Sequence, residues 1–248
     1  MKNFVLIMKH YFKISFRVWM TPVLLILLPL GIVTVNILAN FGTDALAEEA
    51  TVLAAIFMVA FKFFGAEITI YCIFDDLKGP TRWRLLAAPV PQRTFLAAIA
   101  AAGFLVTVVQ GAAIFGVCAL IFGARWGNPW IFIAVFLTIS IMVQVIALLI
   151  SQVVKTRGAA SGIVYVLSFG MMILGGIMFI PLGDGPFASF VTQYGTPFVL
   201  GWRAIIYSTH IWDDMTQAVI NLGLLWAIMA VLIAANLVLA KAKRGRTA

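Results

Sequence analysis

The chain has 248 residues, of which 63% are hydrophobic and only 10% charged, with a mean hydropathy of +1.09. A soluble globular domain carries about 25% charged residues, so that class is excluded. The formal net charge of +8 therefore points away from nucleic acid and towards basic residues retained on one side of a membrane.

A spanning helix needs about 20 mostly apolar residues, which leaves room for about six spans with short loops in a single membrane domain, 1–248. Residues 2–17 come first. Lys9, Lys13 and Arg17 repeat every fourth residue on one helical face, and Phe4, Ile7, Met8, Tyr11, Phe12 and Ile14 fill much of the rest. That pattern fits a basic amphipathic helix in the membrane interface.

The first span is expected over 18–39, kinked at Pro22 and Pro29 and too long for a typical signal-peptide core. A short acidic loop with Asp44, Glu48 and Glu49 precedes the second span, 51–74, which contains Lys62 and Glu67. Charges inside a span are expensive and face a protein interior or a water-filled cavity. Five residues apart on a helix is about 140°, so these two do not share a face. Each reads either as lining of a substrate path or a lipid contact, or as a side chain reaching an interface or a partner helix.

Residues 75–93, DDLKGPTRWRLLAAPVPQR, form a polar, basic loop in a chain with few charges. A short helical piece fits its middle, ended by Pro89 and Pro91. The third span is expected over 96–122, the fourth over 130–154 and the fifth over 158–180. The fifth carries Gly158, Gly162, Gly170, Gly175 and Gly176, small residues suited to close helix contact.

Residues 181–214 are the longest non-spanning stretch, yet they are rich in Phe, Trp, Tyr, Ile and Val. They read as two short apolar helices broken at Tyr194-Gly195-Thr196-Pro197, at the outer interface or dipping into the membrane. Trp202, Tyr207 and Trp212 are either interface anchors or parts of a lid over an exit path. The sixth span, 216–240, leads to a basic tail.

Lys2, Lys9, Lys13, Arg17, Lys78, Arg82, Arg84, Arg93, Lys155, Arg157, Lys241, Lys243, Arg244 and Arg246 fall on one side in a six-span arrangement; the chain holds 17 Lys and Arg in all. By the positive-inside rule this side is cytoplasmic, with both termini there, in the cell's plasma (inner) membrane. Cys72 and Cys118 lie in or beside apolar runs and are expected to be buried, reduced thiols. There is no phosphate-binding loop of the G-x-x-x-x-G-K-[ST] type. His10 and His210 are expected on opposite sides of the membrane, so they cannot share a metal. The Gly158-Ala159-Ala160-Ser161-Gly162 run is faintly like the serine motif of rhomboid-type intramembrane proteases, but small-residue packing explains it.

Taken together, an amphipathic N-terminal helix, six spans, a basic loop after the second and short outer helices before the sixth resemble the permease subunits of type-2 ABC exporters. The stretch from Asp75 to Val90 is similar to that family's loop pattern of an acidic residue, Gly-Thr, a basic residue, Leu-Leu, small residues and Pro-Val, with Pro80 standing between Gly79 and Thr81. Tyr194-Gly195-Thr196-Pro197-Phe198 is similar to the family's Asn-Pro-aromatic stretch, with Thr196 in place of Asn.

The resemblance implies that the loop holds a coupling helix seated in a groove of a separate ATPase. Asp75, Asp76, Thr81, Arg82, Trp83, Arg84 and Leu86 would make that contact, with Trp83 and Leu86 as its apolar face and Arg82 and Arg84 fixing its register. Tyr194, Pro197, Trp202 and Arg203 would form the outer lid, and Lys62 and Glu67 would line the path or touch lipid. The resemblance further implies an all-α chain that is not itself an enzyme and carries no cofactor. ATP and Mg would be bound by two copies of the ABC ATPase, beside a second permease, identical or related. The cargo would be an amphipathic drug, antibiotic peptide or lipid. The competing readings are a non-transporting immunity or sensor protein and an intramembrane enzyme.

Overall fold

The computed structural model describes residues 2–18, 20–39, 46–79, 82, 83, 87, 89–176 and 185–244. Among them all regular structure is helical. Helix α1, Lys2–Arg17, is amphipathic as expected: Tyr11 and Ser15 are buried, while Lys9, Lys13 and Arg17 point outwards. Its inner face lies against the helix that follows the polar loop.

Helix α2 runs over 20–39 and contains a π turn, Val23–Leu27, closed by the Leu28 amide on the Val23 carbonyl. Pro29 has no N–H to give and its ring crowds the carbonyl four residues back, so a wider turn just before it relieves the clash. Its regular apolar part, Val23–Ala39, is shorter than the five helices that are long and apolar enough to cross a membrane.

Those five are α3 (Leu46–Leu77), α4 (Gln92–Phe122), α5 (Pro129–Val153), α6 (Arg157–Leu174) and α9 (Met215–Arg244), whose apolar run is Met215–Ala242. Helix α3 starts earlier than the acidic loop reading allows. Glu48 and Glu49 lie in its first turn, where negative charge complements the helix dipole; residues 40–45 of that loop lie outside the described residues. Helix α6 ends earlier, because Gly176 takes a left-handed conformation (φ 72°) just beyond it. The rest of the expected span, 177–180, and the first residues of the following stretch, 181–184, lie outside the described residues.

Helix starts follow local chemistry. Asn128 accepts from the amides of Trp130 and Ile131 at 2.9 and 3.4 Å, with Pro129 next. Thr196 accepts from Val199 at 3.2 Å, with Pro197 next. Both are a capping side chain followed by a proline whose missing N–H would have been unpaired anyway.

Helix α3 is the axis of the molecule. It touches α2, α4, α5, α6 and α8 (Pro197–Tyr207), and 83% of its most apolar window is buried, against 22% for α6 and 11% for α9. The two short helices before α9 differ sharply. Helix α7, Pro186–Tyr194, buries only Ala188, whereas α8 buries Phe198 to Trp202 and Ala204 to Ile206 against α3, α5 and α9.

Of the glycines of the fifth span, Gly175 marks a close helix approach, where a Cβ would strike Phe198 of α8. Gly158, Gly162 and Gly170 of α6 have open space around them. On α4, by contrast, a side chain at Gly103 would strike Thr69 and Gln144, and one at Gly111 would strike Phe136 and approach Lys62. There the missing Cβ lets polar groups of α3 and α5 meet.

Candidate functional site

The polar loop is rooted at the end of α3 by a second π turn, Ile73–Leu77, closed by the Lys78 amide on the Ile73 carbonyl at 3.1 Å. Gly79 follows, and a Cβ there would run into the Asp75 carbonyl oxygen. The turn leaves two charged side chains splayed from the root. The Tyr11 phenol of α1 lies beside Asp76; burial first, and the Asp76 charge second, push this phenol above its usual range. On the other flank, Lys78 donates to the Ser151 carbonyl and, at 3.0 Å, to the Val154 carbonyl, with its ammonium 4.0 Å from the Phe74 ring. Those carbonyls are the unpaired end of α5, where a cation opposes the dipole favourably.

The root is thus tied to α1 on one side and to the α5–α6 turn on the other. Beyond it, Arg82 and Trp83 are helical and exposed, Trp83 to 65%, and the Ala87 amide reaches the Trp83 carbonyl at 3.1 Å. Thr81, Arg84 and Leu86 lie outside the described residues. Helix α4 then begins directly after Pro91.

Within the bundle the two expected charges go to different neighbours. Lys62 is completely buried; its ammonium donates to the Thr107 carbonyl and to Ser140 Oγ, both at 2.8 Å, and lies 3.6 Å from the Phe136 ring centre. It joins α3 to α4 and α5 rather than reaching an interface. Phe136 continues a row of rings through Phe132, Phe115 and Trp126, with centres 4.9 to 5.8 Å apart.

Glu67 faces α6. There α3 and α6 form a ladder: Tyr71 lies under the Arg157 guanidinium at 4.2 Å, Glu67 accepts from Ser161 at 2.7 Å, and Phe64 meets Tyr165 and Phe169 at 6.2 and 5.1 Å. The α6 partners recur every fourth residue, which keeps them on one face. Ser161 is thereby held by Glu67, while His210 sits 3.7 Å from Glu48, about 28 Å away along α3.

At the opposite end from the loop, Trp202 is buried and meets Trp212 at 5.7 Å, and Tyr207 meets Trp212 at 4.8 Å. Arg203 stacks on both tryptophans at 5.4 and 5.7 Å. Tyr194 closes α7 and Pro197 opens α8. Cys72 and Cys118 are buried and unpaired.

Several polar contacts between helices had no counterpart in the sequence reading. Thr69 donates to Gln144 at 2.5 Å, Trp226 to Thr138 at 3.0 Å, Gln152 to Asn236 at 2.7 Å, and Asn236 to the Val145 carbonyl at 3.0 Å. The available signal was an amide inside an apolar run, since such a group seeks a partner helix in lipid.

One protein family, described as "ABC-2 family transporter protein", matches residues 33–238 of the chain. No curated protein and no solved structure matches it.

Proposed function

The chain belongs to the ABC-2 family of transporter proteins and is a membrane permease of that family, and from this premise we propose that it forms half of the path of an ATP-driven exporter. Membership implies association with an ABC ATPase. In the proposed assembly two ATPase subunits, which bind ATP and Mg, work on two permeases, and loop 75–93 is the contact through which ATP-driven closure is passed on. The helical run 20–39 supplies the first of six spans, both termini are cytoplasmic, α1 lies in the interface and α8 re-enters the membrane from outside.

The observation that carries this reading is the double anchorage of the loop root. A lever must be stiff where it meets the spans, and Asp76 with Tyr11 and Lys78 with the end of α5 tie it to two different elements. Its exposed Trp83 is the kind of aromatic anchor that dominates binding interfaces. A push on the loop would tilt α3, and α3 touches α4, α5 and α6 among the spanning helices. Rigid-body rocking of this kind is how such gates alternate.

The test is purification of the tagged chain from its own membrane, followed by reconstitution in vesicles. The proposal expects a stoichiometric ATPase and ATP-dependent cargo movement. Replacing Trp83 and Arg84 by Ala should abolish movement while leaving the folded permease intact. Undiminished movement in that variant would overturn the coupling role.

A further inference from the structure

Between the start of α2 and the α3–α6 ladder lies a cavity of about 130 Å³. Its walls are apolar, from Leu24, Leu25, Phe64 and Ile68, and two charged side chains face it, Glu67 and Arg157. These two do not close on each other; the nearest partner of Glu67 is the Ser161 hydroxyl, and the Arg157 guanidinium rests on Tyr71. Glu67 binds Ser161 through Oε1 only, and its Oε2 is buried with no hydrogen-bond partner. A buried acceptor left unmade is costly, and this carboxylate, with one oxygen lacking any protein donor, belongs to a side chain that lines the cavity.

We propose that this cavity binds the head group of a zwitterionic amphiphile, with its ammonium on Glu67 and its phosphate on Arg157. Glu67 and Tyr71 stand four residues apart on α3, as do Arg157 and Ser161 on α6, so the two levels of the ladder that carry the carboxylate and the guanidinium are about 6 Å apart along the bundle. A phosphate joined to an ammonium by a two-carbon linker spans that offset. A purely cationic ligand would meet Arg157 unfavourably, and a purely anionic one would meet Glu67. The apolar walls, with the exposed Leu27 and Leu28 farther along α2, take the chain of the amphiphile. The cavity reaches Ser15 and Val18, so it opens at the end of the bundle where α1 and the polar loop sit.

The inference rests on the permease reading for its meaning as a cargo site, but binding itself needs no ATP. The purified full-length chain in a non-ionic detergent is titrated with lysophosphatidylethanolamine carrying a fluorophore at the end of its acyl chain. Competitors are lysophosphatidylglycerol, dodecyltrimethylammonium and free phosphoethanolamine.

Saturable binding displaced by neither singly charged amphiphile is expected, and free phosphoethanolamine, which carries both charges but no chain, should displace it only in large excess. Glu67→Gln and Arg157→Gln should each weaken it about tenfold or more, and with opposite signatures: the first should admit the anionic lipid, the second the cationic amphiphile. Leu24→Trp, which fills the cavity and touches neither charge, should abolish binding in a chain that still elutes as a folded species. Equal binding of either singly charged amphiphile to the unaltered chain, or indifference to all three substitutions, would overturn the proposal. Binding without ATP-dependent movement would instead count against the exporter reading alone.

Discussion

Lys62 shows how a charge deep in a span can be accommodated without a carboxylate. A backbone carbonyl, a hydroxyl and a ring face, all from α4 and α5, surround its ammonium, and Gly111 leaves the room for it. If the residue pins three helices, Lys62→Ala should lower stability by about 2–5 kcal/mol through lost packing and an unmade contact. Lys62→Met keeps the volume and should cost clearly less. Thermal unfolding of the detergent-solubilised variants measures both, and equal midpoints for Lys62→Ala and the unaltered chain would contradict the pinning role. Gly79 is the second residue with a sharp requirement. Gly79→Ala should leave the spans folded yet weaken ATPase association, because the Cβ strikes the Asp75 carbonyl and the loop root must open; co-elution of the ATPase at the native level would argue against it. Both charges inside α3 were visible in the sequence, since a lysine or glutamate stands out in an apolar run. Their partners were not: periodicity says which residues share a face, but not which face of another helix lies opposite.

At the scale of elements, the loop root depends on its two neighbours. Tyr11→Phe removes the hydroxyl beside Asp76 and should cost about 1 kcal/mol, seen as faster amide exchange in 2–17 with the rest of the chain unchanged. The same contact fixes a pH dependence. Burial and Asp76 raise the phenol above its usual value, so the stabilisation is complete below about pH 10 and is lost only as pH rises beyond it. Loosening of α1 at neutral pH would be inconsistent with this. On the far side of the bundle, Asn236→Leu removes the links from α9 to Gln152 and the Val145 carbonyl. The cost should be about 0.6 kcal/mol and at most about 1.7. The elements themselves were largely legible, because Asn128-Pro129 and Thr196-Pro197 announce helix starts. The π turns were not. A kink at Pro22 and Pro29 was expected, but the widened turn there, and the one at Ile73–Leu77, depend on where the carbonyls must go. The glycines of the fifth span were a partial guide for a related reason: small residues permit close approach but do not say which helix approaches, so Gly175 meets α8 while Gly158, Gly162 and Gly170 have open space and α4 supplies further contacts.

For the whole molecule, one buried helix carries the others. Helix α3 touches α2, α4, α5, α6 and α8 and ends in the loop root, so displacement of the loop is displacement of the axis. Helices α6 and α9 leave most of their surface uncovered, the faces that lipid and the proposed second permease would occupy. The central claim is that loop 75–93 meets an ATPase at its tip. Cys72 and Cys118 are buried, so a thiol introduced by Trp83→Cys reacts from the surface on its own. The decisive measurement is short-span cross-linking from that thiol in native membranes, beside a control from Phe187→Cys on α7 at the other end of the chain's fold. The account predicts that the ATPase subunit is captured from position 83 and not from position 187. Capture from neither, or from position 187 alone, would contradict it.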